Sequence, residues 1–244
     1  MVSFFSTLTI AAVAFVGAAH GLTEGEYYRP TGAEVSSQVG ATTAYVRSPC
    51  PALNALANHG YLPRDGKDIT RAQYTEALAK GYNIGWDVAA LLVNNIPAVI
   101  SLSGLSEHDL IEHDGSLAHA DSYYKKEPSA LDATLWADLL SRAKDGKFGV
   151  VELAGARKNR MALCKAKPTG CDFGPKQRFL AFGEAALLLH GMGGNNDESC
   201  SVEFAKSFFE EERIPANYVK SKSAVNLPEL LATMAKIQVL APFQ

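Results

Sequence analysis

Cys50 lies between Pro49 and Pro51, at the point where a short apolar helix is predicted to begin. Proline is favoured at the first helical position, so the spacing predicts that Cys50 is the N-cap of this helix. The unpaired amides and the positive end of the helix dipole would lower the pKa of the thiol. A rigidly held thiolate of this kind suits either a nucleophile or an axial ligand of haem iron.

Two other interpretations of Cys50 stay open at this point. The chain has four cysteines, and neither Cys50 nor Cys200 has a partner close in sequence, so these two could form a disulfide. Cys164 and Cys171 are close enough along the chain to join in a small ring. A cysteine nucleophile is less favoured, because the local signature of papain-like enzymes is missing.

A second element, IEHDGS, ends at Ser116 and places the Glu112 carboxylate four residues before the Ser116 hydroxyl. In a helical turn the two side chains share a face. Carboxylate, hydroxyl and main-chain carbonyl oxygens are ligands of hard cations such as Mg²⁺. The alternative is a solvated face of charged residues. An earlier copy at residues 107–109 lacks the hydroxyl and is expected at the surface.

Glu184 is a carboxylate in an otherwise apolar helical segment, FLAFGEAALLLH. Its neighbours three and four residues away are Leu180, Ala181, Leu187 and Leu188. Loss of hydration on such a face predicts a raised pKa, in the range where the group can relay protons. The alternative is a carboxylate at the margin of the core that reaches solvent with its tip.

The elements that carry these residues are predicted to be helical almost throughout, which gives an all-α single-domain fold. Thr70 and Gln73 form a capping box for a helix that Gly81 closes. Ser129 is predicted to cap another helix, which stops at Gly146. Further helices are predicted over residues 51–60, 86–102 with a kink at Pro97, 176–190, 198–213 and 227–240, with an extended arm at 23–48 and a surface loop at 166–175.

The composition is that of an ordinary globular protein, with 244 residues, 47% hydrophobic residues and a net charge of −3. No dense Lys/Arg run is present, which argues against nucleic-acid binding. The first twenty residues carry no Lys, Arg, Asp or Glu, and residues 8–19 form an apolar run that ends in small residues. We therefore predict a signal peptide at residues 1–19, cleaved after Ala18 or Ala19, and a secreted domain over 20–244. A buried N-terminal helix is the alternative.

Together, three elements resemble the fungal haem-thiolate peroxidase family, which includes chloroperoxidase and the unspecific peroxygenases. They are the P-C-P element at residues 49–51, which continues as ALNALANHGYLPRDG, the E-H-D-x-S element at 112–116, and the segment GEAALLL that contains Glu184. The resemblance spans residues 45–215. The sequence is similar to the short members of the family, because His113 stands where the long peroxygenases have glycine.

The resemblance implies a chloroperoxidase-like fold and a role for each matched residue. Cys50 matches the axial ligand of the iron in haem b. Glu112 and Ser116, with the main-chain carbonyl of His113, match the ligands of Mg²⁺, or less often Mn²⁺. Glu184 matches the acid-base catalyst, with the His113 imidazole as its partner.

The implied activity is that of a secreted peroxygenase, which uses hydrogen peroxide to transfer oxygen to small organic substrates and also oxidises phenols. Cys50 would then be unpaired, Cys164 and Cys171 would form the disulfide, and Cys200 would be left to link a homodimer. A haloperoxidase or peroxidase on the same fold and a secreted non-catalytic interaction protein are the alternatives. Gly115, where alanine is usual, and the absence of glycosylation sequons are departures from the family pattern. Asn58 and His59 are expected to cap and pack.

Overall fold

The computed structural model describes residues 21–168, 172–194 and 197–242. Within these ranges the chain forms eight α-helices. They are α1 (Pro51–Asn58), α2 (Arg71–Tyr82), α3 (Trp86–Asn94), α4 (Ala133–Ser141), α5 (Val150–Lys165), α6 (Pro175–Leu187), α7 (Val202–Glu211) and α8 (Leu227–Leu240). The predicted all-α class is confirmed.

The strands among the described residues are two residues long and form three separate pairs. β1 (Val35–Ser36) pairs in parallel with β2 (Tyr45–Val46), and both strands lie within the arm at 23–48. β3 (Ile69–Thr70) pairs with β4 (Val99–Ile100), and β5 (Lys147–Phe148) pairs with β6 (Cys200–Ser201), both antiparallel. These short pairs join chain segments at the ends of helices and form no sheet that could carry a core of its own.

The helix starts were predicted well where a capping residue precedes the helix directly. The Thr70 hydroxyl accepts the amide of Gln73, and the capping box of α2 is complete. The helix ends one residue after Gly81, because Asn83 takes the left-handed conformation that closes it. The prediction that Ser129 caps the next helix was wrong, since α4 begins after Asp132, whose carboxylate accepts the amides of Thr134 and Leu135.

Pro97 ends a helical segment and does not kink one. Helix α3 stops at Asn94, and the chain continues into β4 instead of extending to residue 102. The ring of a proline disfavours helical backbone at the residue before it, which explains the break. Similarly, α7 begins at Val202 and not at 198, because residues 200–201 pair in β6 and Ser201 is the N-cap.

Helix α5 is absent from the predictions, although it has 16 residues and packs against α4, α6 and α8. Its sequence, VVELAGARKNRMALCK, lacks a clear apolar stripe. Arg157 and Arg160 occupy positions on its buried face, with exposures of 0% and 3%. Two buried arginines interrupt the hydrophobic periodicity on which helix prediction depends.

The loop between α5 and α6 runs over the surface in the part that the structure describes, as predicted, because Ala166, Pro168 and Asp172 are exposed. Lys167 and Phe173 are the exceptions, since both side chains are buried and anchor the loop. Asn58 and His59 have the structural roles expected of them. Arg47 donates to the Asn58 side chain, and His59, the C-cap of α1, contacts the carbonyl of Gly25 through Nδ1 at 2.8 Å. No helix within the described residues is long and apolar enough to cross a membrane.

Candidate active site

A largely apolar cavity lies among α1, α2, α3, α6 and α8, with the segment 111–120 as a further wall. It encloses about 200 Å³ of accessible space and opens to solvent at its mouth. The residues that the sequence singled out for chemistry all line it; they are Cys50, Glu112, His113, Ser116 and Glu184.

Cys50 is the N-cap of α1, as predicted, and its thiol is not in a disulfide. The prediction of a lowered thiol pKa was wrong. Burial raises the pKa of Cys50, although the amides of Leu53 and Ala52 act in the opposite direction, and the negative charge of Glu184 adds to the increase. Desolvation of a thiolate outweighs the helix dipole at this position. The sulfur therefore carries a proton at neutral pH.

The other cysteines bear on how Cys50 is used. Cys200 is also free of a disulfide, so the alternative of a Cys50–Cys200 bridge was wrong. Cys200 is fully buried, and burial raises the pKa of its thiol to about 12. This burial opposes the predicted dimer, because an intermolecular bridge would first have to expose the sulfur. Cys171 lies outside the described residues, so its pairing with Cys164 stays a prediction.

Glu184, on α6, forms an ion pair with His113. His113 Nε2 lies 2.9 Å from Glu184 Oε2, and the amide of Leu117 donates to Oε1 at 2.5 Å. His113 Nδ1 is 2.9 Å from the carbonyl of Asp114 and must donate to it. Nε2 is then the ring nitrogen that faces the Glu184 carboxylate.

The pKa of Glu184 was expected to rise, and this expectation was wrong. Burial does raise it, but the hydrogen bond and the charge of His113, the charge of Arg157 and the amide of Leu117 together lower the pKa to about 2. The Glu184 side chain is 26% exposed, toward the cavity. An ionised carboxylate is therefore presented to whatever enters the cavity at neutral pH.

Arg157 is a site residue that no sequence pattern predicted. It is fully buried, its Nη1 lies 3.7 Å from Glu184 Oε1, and its Nη2 donates to the carbonyl of Gly115 at 2.6 Å. Within the described residues, Nε and Nη1 have no hydrogen-bond partner. Arg157 and Arg160 are three residues apart in one helix, and this spacing was the available signal that both face the same neighbours.

The loop that carries His113 is held by buried ion pairs. Lys167 Nζ contacts the Asp114 carboxylate, which also accepts the amide and hydroxyl of Ser122. Arg160 donates to Asp121 at 2.8 Å, and Asp121 accepts the amide of Gly115 at 2.6 Å. These contacts fix the backbone on both sides of the catalytic candidates.

The local structure explains why glycine occupies position 115. Its φ is +76°, in the left-handed region, and an added Cβ would lie 3.0 Å from the ring of Phe173. Alanine at this position would require both strained backbone and movement of a buried ring. The departure from the family pattern therefore matches the local packing.

The oxygen donors expected at a metal ion are present but bonded to protein groups. Glu112 Oε2 lies 2.6 Å from His108 Nδ1, and the Ser116 hydroxyl is 3.4 Å from Glu184 Oε2. Burial raises the pKa of Glu112 above its usual value, and the hydrogen bond with His108 offsets only part of this increase. Glu107 and His108 are exposed, as predicted for the earlier copy. Carboxylate, hydroxyl and the adjacent carbonyl form a donor set that suits a hard cation.

Comparison with known proteins identifies the family to which the chain is similar. The family model described as "Peroxidase, family 2" matches residues 26–223. An aromatic peroxygenase of Cyclocybe aegerita is 27% identical over 208 residues, which cover 73% of this chain and 56% of that protein. An aromatic peroxygenase of Coprinellus radians is 28% identical over 207 residues, which cover 71% and 78%. A chloroperoxidase of Leptoxyphium fumago is 36% identical over 88 residues, which cover 31% and 24%. The chain thus matches little more than half of the length of the first relative.

Proposed function

The chain belongs to peroxidase family 2, and on this basis we propose that it is a haem-thiolate peroxygenase, which uses hydrogen peroxide to transfer oxygen to organic substrates. The observation that carries this proposal is the arrangement of the cavity. A cysteine at a helix N-terminus and an ionised carboxylate line the same apolar space. They are close enough for the charge of Glu184 to raise the pKa of Cys50.

The residues present fit haem. The Cys50 thiol is free, the cavity walls are mostly apolar, and the amides of Ala52 and Leu53 are available to hydrogen-bond a thiolate. Cys50 would hold the iron through its sulfur and lose its proton on binding. When bound, haem supplies an iron whose thiolate ligand donates electron density and so favours cleavage of a peroxide O–O bond.

Glu184 has the protonation state that a base for hydrogen peroxide requires. Its carboxylate is ionised at neutral pH and can accept a proton from the peroxide, then return it to the oxygen that leaves as water. His113 and Arg157 hold the carboxylate from two sides, so that it keeps one orientation as the proton moves. The apolar walls exclude water and leave space for an organic substrate beside Glu184.

We also propose that Mg²⁺, or less often Mn²⁺, binds Glu112, Ser116 and the carbonyl of His113. Support comes from the donor chemistry and from the position of all three residues on the cavity wall. Glu112 would exchange its hydrogen bond with His108 for the cation. Metal analysis of the purified protein, with Glu112→Gln as the comparison, tests this ligand set.

Secretion is part of the proposal and rests on the sequence alone, because residues 1–20 lie outside the described residues. An N-terminal leader over residues 1–19 would place the chain in an oxidising compartment, where Cys164 and Cys171 could pair. N-terminal sequencing of the protein recovered from culture medium would locate the cleavage site. Recovery only from cells, with residues 1–19 retained, would contradict secretion.

The deciding experiment is the absorption spectrum of the dithionite-reduced protein under carbon monoxide. We expect the red-shifted Soret band that thiolate-ligated haem gives, and we expect Cys50→Ala to abolish it. Cys200→Ala is the matched control, because Cys200 is buried outside the cavity and its loss should leave the band unchanged. A colourless protein, after expression with haem available, would contradict the proposal and favour a non-catalytic interaction protein.

Product analysis separates the peroxygenase from its enzymatic alternative. Hydrogen peroxide and a hydrocarbon should yield a hydroxylated or epoxidised product whose oxygen comes from labelled peroxide. Brominated products with added bromide, and no oxygen transfer without it, would instead identify a haloperoxidase.

A further inference from the structure

His119 differs from most other polar side chains of the cavity, because its imidazole has no hydrogen-bond partner among the described residues. Most polar side chains on the wall are hydrogen-bonded to protein groups, namely those of Tyr74, Tyr82, Glu112, His113, Ser116 and Glu184. Cys50 is the proposed iron ligand. The ring nitrogens of His119 have no hydrogen-bond partner among the described residues, and neither of them is among the fully buried polar atoms. No sequence pattern pointed to this residue.

The ring of His119 has a fixed place on the wall. Its backbone pairs with Leu131 in an isolated bridge. The imidazole stacks on Phe209 with centroids 6.4 Å apart and planes 30° apart, and Phe209 stacks on Trp136 at 5.0 Å. Trp136 in turn donates its indole N–H to Glu210 at 2.8 Å. His119 is thus stacked on one ring face while it lines the cavity.

The imidazole is neutral when a ligand meets it. Burial lowers the pKa of His119 to about 4. The negative charge of Glu184 raises this pKa and His113 lowers it, but both effects are smaller than that of burial. A neutral ring offers one N–H donor and one nitrogen acceptor. It therefore adds hydrogen-bonding capacity, without charge, to a cavity that is otherwise mostly apolar.

We propose that His119 is a substrate-binding residue that hydrogen-bonds the hydroxyl group of an apolar substrate and so favours hydroxyl-bearing rings over the parent hydrocarbons. A hydroxyl group buried without a partner loses its hydrogen bonds to water, whereas one that reaches His119 replaces them. A site with a built-in hydrogen-bonding group discriminates by this difference. The inference rests on the proposed function and specifies its substrate class.

The test compares 1-naphthol with naphthalene, which differ by one hydroxyl group. Equilibrium dissociation constants would be measured without peroxide, by spectral titration of protein that already shows the thiolate-haem spectrum. His119→Phe keeps a ring to stack on Phe209 and removes the hydrogen bond, so the Kd for 1-naphthol should rise about threefold to tenfold. The Kd for naphthalene should stay the same or fall. His119→Gln, which keeps a donor and an acceptor, should restore part of the affinity for 1-naphthol.

A change in the apolar wall provides the control. Phe179 lines the same cavity, and Phe179→Leu should alter the affinity for both ligands by a similar factor. Equal effects of His119→Phe on the two ligands, or no preference for 1-naphthol in the unaltered protein, would overturn the inference. Absence of the thiolate-haem spectrum would be seen before any titration and would contradict the proposed function instead, so the two failures are distinguishable.

Discussion

Arg157 Nη1 lies 3.7 Å from Glu184 Oε1, although the two residues belong to different helices, α5 and α6. On the other side of the carboxylate, His113 Nε2 lies 2.9 Å from Oε2. Glu184 is thus held between the imidazole of His113 and the guanidinium of Arg157, and both of these side chains are buried. Charges that water does not screen interact strongly, and this arrangement explains why a carboxylate on an apolar helix face keeps a low pKa.

Removal of the Glu184 carboxylate should slow the reaction with hydrogen peroxide and leave haem binding intact. For Glu184→Gln we expect the rate constant to fall by about 10² to 10⁴, the range typical of general acid-base catalysis. Stopped-flow absorbance with peroxide measures it. Glu203→Gln, which changes an exposed carboxylate on α7, serves as the control. Full reactivity of the Glu184 variant would remove this residue from the mechanism.

The acid limit of activity should depend on Arg157. With a folded-state pKa of about 2, Glu184 stays ionised well into the acid range, and activity that needs the carboxylate is lost only as pH falls toward that value. Arg157→Met removes a charge that lowers the pKa of Glu184, so the acid limb of the rate profile should move to higher pH. The peroxide rate constant measured between about pH 2.5 and 6 shows the shift.

Arg160→Met is the matched control for that profile. Arg160 is also buried on α5, but its guanidinium bonds Asp121 and the carbonyl of Ser116 and not Glu184. Both variants should lose stability, whereas the acid limb should move in Arg157→Met alone. Identical profiles for the two variants would show that Arg157 acts only through folding.

The ion pair between Lys167 and Asp114 should contribute strongly to the free energy of unfolding. Both side chains are buried, so Lys167→Met leaves an uncompensated carboxylate and should cost about 3–5 kcal/mol. The double variant Asp114→Asn/Lys167→Met should cost less than the sum of the two single changes, because neither charge is left alone. Urea unfolding of the four proteins measures the coupling. Additive losses would contradict it.

Cys200 should resist modification in the folded protein. Its thiol is fully buried and its raised pKa, about 12, leaves almost no thiolate at neutral pH. Iodoacetamide labelling followed by mass spectrometry should find Cys200 unmodified until denaturant is added, and a non-reducing gel should show a monomer. A Cys200-linked dimer from freshly purified protein would contradict this burial.

Local sequence was sufficient for features that depend on a few neighbouring residues. Cys50 before a proline defined a helix start, and Thr70 with Gln73 defined another, because capping is satisfied within one turn. Helix α5 could not be found in this way. Its buried arginines stabilise it only through carbonyls and carboxylates far away in the sequence, such as Gly115 and Asp121.

By itself, the sequence determined the all-α class and five of the residues that line the cavity, namely Cys50, Glu112, His113, Ser116 and Glu184. Only the tertiary structure decided the direction of the pKa shifts of Cys50 and Glu184, and it reversed both predictions. Burial raises the pKa of Cys50 against the helix dipole, and His113 with Arg157 lowers the pKa of Glu184 against burial. A pKa depends on charges and desolvation from every element packed around the group, and spacing along one helix contains only part of that environment.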